Sequence, residues 1–264
     1  MAQIATFYDH IKDISRQRGI SLMDAMGLAR QLGVEALEVN QNNMIGREDE
    51  VGQELAYHDM SISAVPAYFD FGRDPDVARQ ALPTLEAASY LGAKKLLVIP
   101  GFLDQDDPPQ ERERQTQAMV DGVCRLAELA GQYGLSLVME EYDNPAAPFS
   151  TTQGVLRFLQ GCPALASCFD TGNFLPAGED VLQGWEALKG RVGHVHLKDR
   201  GLAGEGDARR MVPSPVGAGA LPLAEAVERI RAQGYDGAYT LEFYDSPDTL
   251  AFLEQSVAWL KSQL

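Results

Sequence analysis

One short stretch of the sequence combines two histidines with a lysine, an aspartate and an arginine. It spans residues 193–200, reads GHVHLKDR, and contains two of the four histidines of the chain. Successive side chains of a β-strand point to opposite faces, so His194, His196 and Lys198 would share one face. Such a polar face is unusual for a plain core strand. The alternative is a strand end at which polar residues leave the core, and the rest of the sequence must decide between the two.

Acidic residues end other predicted strands. Glu140 and Glu141 follow one apolar run, Asp170 follows a second and Glu242 follows a third. Strand parity directs the larger apolar side chains toward the surrounding helices, which turns Glu140 rather than Glu141 into the interior. The same parity turns Asp170 and Glu242 inward. Four adjacent strands are therefore expected to direct the following side chains to one point: Glu140, Asp170, His196 and Glu242.

A divalent cation would explain why three carboxylates gather. Closely packed carboxylates repel one another and raise one another's pKa values, and a bound cation removes this repulsion. Hard oxygen ligands with one imidazole and no thiolate suit Mn²⁺, Mg²⁺, Co²⁺ or Zn²⁺, and the carboxylate-rich set favours Mn²⁺. Open coordination positions would remain for water or substrate oxygens. The sequence thus predicts one divalent metal ion, with Mn²⁺ preferred.

Eight strand-then-helix units are predicted to position these residues. The predicted strands are Gln3–Phe7, Ala36–Val39, Ser61–Val65, Lys95–Ile99, Leu135–Met139, Leu165–Phe169, the strand with the two histidines, and Ala238–Glu242. Strict alternation implies a parallel sheet, and eight units close it into a (β/α)8 TIM barrel whose active site lies at the carboxyl ends of the strands. An open doubly wound sheet is the alternative, but no strand is followed by its glycine-rich phosphate loop. Residues 198–222 are predicted to form a long functional loop.

The length, charge and cysteine content of the chain limit the classes of protein to which it can belong. The chain has 264 residues, 45% of them hydrophobic and 23% charged, which suits one barrel domain over residues 1–264. A net charge of −16 argues against a nucleic-acid or anionic-membrane surface, because phosphate binding depends on lysine and arginine. Three cysteines without CxxC spacing indicate free thiols in a reducing compartment. With no signal peptide and no membrane-length apolar run, we expect a soluble cytoplasmic protein.

Several motifs come in the order found in a known superfamily. They cover residues 33–38, 98–102, 134–140, 169–173, 194–199, 215–219 and 239–243. In these motifs the chain resembles the xylose-isomerase-like TIM barrel superfamily, the sugar-phosphate isomerases and epimerases with the AP endonuclease 2-like barrels. The resemblance implies that the four converging side chains bind one divalent metal. It also implies that Glu140 and Glu242 are the catalytic acid/base pair.

The implied activity is isomerisation or epimerisation of a sugar, sugar acid or sugar phosphate by proton transfer through a metal-stabilised cis-enediolate. An alternative is a metal-dependent dehydratase of a polyhydroxy ketone, similar to inosose or dehydroshikimate dehydratases, in which a β-hydroxyl leaves. An endonuclease IV-like activity is disfavoured, because that site needs several metals, many histidines and a basic surface. A barrel that binds a ligand without turnover is the remaining alternative. The expected partner is a small carbohydrate, and a homodimer is left open.

Further residues are candidates for contact with the substrate. They are Lys198, His194, Glu38, Asn173 and His10, with a hydrogen-bonded core position as the alternative for His194. Aromatic candidates for a sugar-binding surface are Tyr68, Phe69 and Trp185. Compared with ketose 3-epimerases of the superfamily, the chain differs at three substrate-binding positions, occupied here by Ala146, Asn173 and Leu202. These differences weigh against a free ketose 3-epimerase.

Overall fold

Eight parallel strands close into a barrel in the computed structural model, which describes residues 2–204 and 210–264. The described strands are β1 (Gln3–Phe7), β2 (Ala36–Glu38), β3 (Ser61–Tyr68), β4 (Lys95–Ile99), β5 (Ser136–Met139), β6 (Leu165–Asp170), β7 (Val192–Ala203), β8 (Arg210–Ser214) and β9 (Ala238–Glu242), and all of them except β8 form the barrel. Consecutive strands from β1 to β7 pair in parallel, and β9 lies between β7 and β1 and closes the ring. The predicted TIM barrel is confirmed.

Helices connect the barrel strands and cover their outer face. They are α1 (Tyr8–Arg18), α2 (Leu22–Leu32), α3 (Gln41–Met44), α4 (Glu48–Tyr57), α5 (Val77–Tyr90), α6 (Pro109–Gln132), α7 (Thr152–Gly161), α8 (Val181–Leu188), α9 (Leu223–Ala232) and α10 (Thr249–Gln263). The hydroxyl of Ser21 accepts a hydrogen bond from the Asp24 backbone N–H and caps α2. Within the described ranges, none of the helices is both long and apolar enough to cross a membrane.

The two faces of the barrel strands carry different side chains. In β9, Tyr239 and Leu241 belong to the large apolar core between strands and helices. Ala238 instead forms a separate small cluster with Ala5 and Ala36, which are register partners on β1 and β2. Since alternate residues share a face, Thr240 and Glu242 point into the barrel interior, as Ala238 does. Glu242, the last residue of β9, therefore lies at the mouth of the barrel.

Two parts of the chain differ from the sequence-based expectation. Helix α1 follows β1 directly and was not predicted, because its composition is mostly polar and only a narrow stripe that includes Ile11 and Ile14 is buried. The prediction of an irregular loop over 198–222 is wrong in part. Strand β7 continues to Ala203 and pairs antiparallel with β8, so a hairpin rises from the barrel mouth. Residues 205–209 of the predicted loop lie outside the described residues.

Candidate metal centre

Three carboxylates and one imidazole converge at the mouth of the barrel. One ligand atom from each of Glu140, Asp170, His196 and Glu242 lies within 4.8 Å of all the others. His196 Nδ1 is 3.0 Å from Glu140 Oε2, 3.2 Å from Glu242 Oε2 and 3.7 Å from Asp170 Oδ2. Asp170 and Glu242 are the last residues of β6 and β9, and Glu140 follows β5 directly. Adjacent strands thus place the predicted set at one point.

The free polar atoms of this cluster suit a cation. Glu140 Oε2, Asp170 Oδ2 and His196 Nδ1 are buried and, among the described residues, have no hydrogen-bond partner. The second oxygen of Asp170 accepts hydrogen bonds from the backbone N–H groups of Gly172 (2.7 Å) and Asn173 (3.2 Å). One oxygen of this carboxylate is therefore held by the protein while the other points into the cluster. Hard oxygens and one imidazole around a common point are the donors that a divalent metal takes.

The charges of the cluster shift the pKa values of its members in opposite directions. Burial, together with the nearby carboxylates of Asp170 and Glu242, raises the pKa of Glu140 to about 7 even though His196 opposes the shift. Burial also disfavours the ionised form of Glu242, but Lys198 and His196 outweigh it and hold the pKa of Glu242 well below its usual range. The two glutamates that contact the same imidazole nitrogen therefore differ in proton affinity.

A buried network supports the cluster from behind. Glu38 Oε1 lies 2.7 Å from His194 Nε2 and 2.9 Å from His196 Nε2, and it accepts a hydrogen bond of 2.6 Å from Thr240 Oγ1. Glu38 and His194 are buried and do not line the cavity at the mouth. Their predicted contact with substrate stays a prediction. They meet the metal centre through His196.

A cavity of about 390 Å³ opens above the cluster. Among the residues that line it are the predicted Lys198, Asn173 and Tyr68. Its remaining aromatic wall consists of Phe7, Tyr142, Phe243 and Tyr244, and the hairpin contributes Met211 and Val212. The hydroxyls of Tyr68 and Tyr142 lie 3.3 Å apart. Phe69 and Trp185 are instead buried in the core, where Phe69 stacks on Phe71 and Trp185 makes an edge-to-face contact with Phe169.

Lys198 sits at the wall of the cavity with its charge fully engaged. Its Nζ lies 2.6 Å from Glu242 Oε1 and donates to Asn173 Oδ1 at 2.8 Å and to Asp143 Oδ2 at 3.3 Å. Arg200 Nη2 donates to the same Asp143 oxygen at 2.6 Å. The contact between Asp143 and Arg200 was not predicted, because nothing in the local sequence indicates that the segment after β5 meets the end of β7.

His10 lies beneath the rim rather than on it. It is fully buried, its ring stacks on Phe243 at 4.5 Å, and its Nε2 accepts a hydrogen bond of 3.1 Å from the Phe243 backbone N–H. Burial lowers the pKa of His10 to about 4, which agrees with a neutral ring that accepts a hydrogen bond at Nε2. His10 is not among the residues that line the cavity, and its predicted contact with substrate stays a prediction.

Cys168 is a further residue of this region that was not predicted from the sequence. Its thiol lies in a group of potential ligands with Glu140 and His196. Burial raises the pKa of Cys168 well above its usual value, although His196 opposes the shift, so the neutral thiol is favoured. Glu141 points away from the centre, as parity predicts, and its Oε1 accepts a hydrogen bond of 3.2 Å from the Asp170 backbone N–H.

Comparison with solved structures finds the same fold in other proteins. The probable 3-DHS dehydratase AsbF of Bacillus anthracis matches with a TM-score of 0.77 and 18% identity over 98% of both chains. The 3-keto-D-glucoside 4-epimerase YcjR of E. coli matches with a TM-score of 0.76 and 16% identity over 99% of this chain and 100% of that chain. The IolI protein, solved with a bound zinc atom, matches with a TM-score of 0.75 and 16% identity over 99% and 96%. At these identities the likeness concerns the fold.

Sequence comparison gives the family. An inosose dehydratase of Lacticaseibacillus casei is 25% identical over 180 residues, which are 60% of this chain and 59% of that protein. The match therefore spans about three fifths of the length of this relative. A family model described as a xylose isomerase-like TIM barrel matches residues 26–263. Because this match includes most of the chain, the protein belongs to the xylose isomerase-like TIM barrel family.

Proposed function

We propose that the protein is a divalent-metal-dependent isomerase or epimerase of a small polyhydroxylated carbonyl compound. The observation that carries this proposal is the convergence of three buried carboxylates and one imidazole within 4.8 Å of one another at the mouth of the barrel. Glu140, Asp170, His196 and Glu242 would hold the metal ion. Mn²⁺ suits this carboxylate-rich set, and Mg²⁺, Co²⁺ and Zn²⁺ are compatible with it.

The metal ion would polarise the carbonyl and neighbouring hydroxyl of a bound substrate, which acidifies the adjacent C–H bond. Glu140 and Glu242 belong to strands on either side of β6 and β7, and each has an oxygen within 3.2 Å of His196 Nδ1. One glutamate would accept the proton from carbon, and the electron pair would move to the carbonyl oxygen to give an enediolate. Return of a proton from the second glutamate to the opposite face gives an epimer, and return to the neighbouring carbon gives an isomer.

The walls of the cavity favour an uncharged substrate. Among the described lining residues, the cationic groups besides His196 are Lys198 and Arg200, and both contact Asp143. Lys198 is further engaged by Glu242. An aromatic wall with exposed hydroxyls can pack against the apolar face of a sugar and bind its hydroxyls. A neutral ketose or cyclic polyhydroxy ketone therefore fits this cavity better than a sugar phosphate.

Dehydration of a polyhydroxy ketone is the second candidate function. The sequence similarity to an inosose dehydratase supports it. The same carboxylate would remove the proton next to the carbonyl, and the β-hydroxyl would then leave with a proton as water, so that a C=C bond forms. The two candidate reactions share the removal of a proton from carbon and differ only in their later steps.

Exchange of substrate hydrogen with solvent tests this shared step. The protein loaded with Mn²⁺ is incubated in D₂O with a panel of neutral ketoses, cyclic polyhydroxy ketones and sugar phosphates, and products are analysed by NMR and mass spectrometry. We expect deuterium on the carbon next to the carbonyl of an uncharged compound. Loss of one water with an absorbing conjugated product would identify the dehydratase.

The variant E140Q preserves the shape of the side chain but removes a carboxylate that is proposed both as an acid/base group and as a metal ligand. We expect its turnover to fall by at least about 10²–10⁴-fold, the usual contribution of general acid/base catalysis, and any loss of metal binding would add to this fall. The matched control is E128Q, since Glu128 is exposed on α6. Equal turnover of E140Q and the wild type, or no exchange with any compound of the panel, would contradict the proposed function.

A further inference from the structure

Three polar side chains contact a single carboxylate oxygen behind the metal centre. Glu38 Oε1, at the end of β2, contacts the Nε2 atoms of His194 and His196 on β7 and the hydroxyl of Thr240 on β9. All four side chains are at most 1% exposed. Water therefore does not share these contacts, and the hydrogen-bonding roles must be satisfied within the network.

The network determines which imidazole nitrogens carry hydrogen. Glu38 Oε1 accepts a hydrogen bond from the Thr240 hydroxyl and lies within 2.9 Å of both Nε2 atoms, so a carboxylate at this position can accept from all three side chains. An ionised carboxylate only accepts hydrogen bonds. His194 and His196 must therefore each present an N–H group at Nε2. An imidazole that binds a metal must be neutral, so a ligating His196 with hydrogen at Nε2 has its lone pair at Nδ1, the atom that faces the three carboxylates of the metal centre.

The other histidine of the pair is not part of the cluster formed by Glu140, Asp170, His196 and Glu242. The Nε2 of His194 is committed to Glu38, and within the residues that the structure describes its buried Nδ1 has no partner. The two imidazole rings are 5.3 Å apart and nearly perpendicular, so His194 approaches the carboxylate from a different direction than His196. His194 and Thr240 thereby fix the carboxylate from two sides while His196 bridges it to the centre.

We infer that Glu38 is a positioning residue that holds His196 in the Nε2–H tautomer and presents Nδ1 to the metal, with His194 and Thr240 as its supports. This inference rests on the proposed function only in requiring a metal at the cluster. Hydrogen bonding to the remote nitrogen of a ligating imidazole orients the ring and raises its basicity as a ligand. The pair of histidines in the sequence thus comprises one ligand and one support.

The first measurement uses the wild-type protein with Zn²⁺, which is diamagnetic and suits NMR. Long-range ¹H–¹⁵N correlation of labelled histidines reports which nitrogen binds metal and which carries hydrogen. We expect His196 to bind Zn²⁺ through Nδ1 and to keep a protonated Nε2, while neither nitrogen of His194 binds. Coordination of Zn²⁺ by His194, or by His196 through Nε2, would overturn the inference.

The second measurement compares Zn²⁺ affinity of the wild type and E38Q by competition with a chelator. The amide keeps the size of the side chain but removes its charge, so we expect Kd to rise about 10–100-fold, the usual effect of a lost outer partner of a ligand. The matched control E35Q changes an exposed glutamate next to the same strand, and its Kd should stay within about twofold of the wild type.

The outcomes separate this inference from the proposed function. If wild type binds Zn²⁺ through Nδ1 of His196 and E38Q binds equally tightly, the positioning role of Glu38 is wrong while the metal centre stands. If the wild type fails to bind one Zn²⁺, both are wrong. If E38Q does not fold, the tautomer measured in the wild type still decides whether the hydrogen-bond pattern is correct.

Discussion

At the scale of single residues, Lys198 accounts for the orientation of one candidate ligand. Its ammonium contacts Glu242 Oε1, which leaves Oε2 toward His196 Nδ1. Lys198 is 7% exposed, so its contacts with Glu242, Asn173 and Asp143 replace water as the partners of a buried charge. A side chain that the sequence suggested as a substrate contact thus has a clear second task, the neutralisation and orientation of a carboxylate.

Replacement of Lys198 by glutamine should destabilise the metal-free protein. The variant leaves Glu242 buried among like charges without its cation, and breaking a buried ion pair costs about 3–5 kcal/mol of the free energy of unfolding. Urea denaturation of the wild type and K198Q measures this difference. The control is K189Q, because the Lys189 side chain is 43% exposed and its ion pair with Glu186 should contribute less than about 1 kcal/mol. Equal losses in both variants would contradict the role assigned to Lys198.

At the scale of elements, one aspartate ties the segment after the hairpin to β7. Asp199 Oδ2 accepts hydrogen bonds from the backbone N–H groups of Gly217 (3.0 Å) and Gly219 (2.8 Å). Its Oδ1 accepts from those of Arg200 (2.8 Å) and Leu221 (3.3 Å). Both oxygens are therefore used, and the segment that leads from β8 to α9 is held against the barrel mouth. A Cβ on Gly219 would lie 2.2 Å from Asp199 Oδ1, which explains the small residue there.

This arrangement predicts that D199N is more harmful than its small size change suggests. In either orientation of the amide, its NH₂ group would face backbone N–H donors, so two hydrogen bonds would be lost. We expect the free energy of unfolding to fall by about 1–3 kcal/mol. The exposed Asp236 supplies the control D236N, which should change stability by less than about 0.5 kcal/mol. Denaturant unfolding distinguishes the two, and an unchanged D199N would refute the anchoring role.

The same scale shows what the sequence could predict. Because side chains alternate strictly along a strand and eight strands close a barrel, parity alone brings Glu140, Asp170 and Glu242 to His196. Contacts across the barrel interior or between loops have no such local signal. Glu38 on β2 reaches His196 on β7, and Asp143 reaches Arg200, only through the tertiary fold. Helix α1 was not predicted because its composition is mostly polar, and the helix is stabilised by the packing of a few apolar residues against the rest of the fold.

At the scale of the whole molecule, the proposed metal links strands that are distant in sequence. The four candidate ligands lie on β6, β7 and β9 or directly after β5, and these strands include residues from 136 to 242. Without a cation these strands bring buried carboxylates together against their mutual repulsion. A ligand of the folded state would relieve this repulsion in all four strands at once. Metal binding should therefore be visible in the stability of the entire barrel.

Calorimetry with and without metal tests this expectation. A divalent ion at about 100 times its Kd should stabilise the fold by about 2.7 kcal/mol, which raises Tm by about 5 °C for a domain of this size. Addition of EDTA should reverse the shift. The variant H196A, which lacks the central imidazole, should show little or no rise in Tm with the same ion. An equal rise in H196A would mean that the stabilising ion binds elsewhere.

The closed ring of strands separates two kinds of residue at the barrel mouth. The candidate ligands come from the later part of the ring, whereas Tyr68, at the end of β3, belongs to the opposite wall of the cavity. Mutations in that wall would change which molecules are admitted while leaving the donor atoms in place. Substrate preference in such a barrel can therefore change during evolution while the metal ligands and the reaction stay the same.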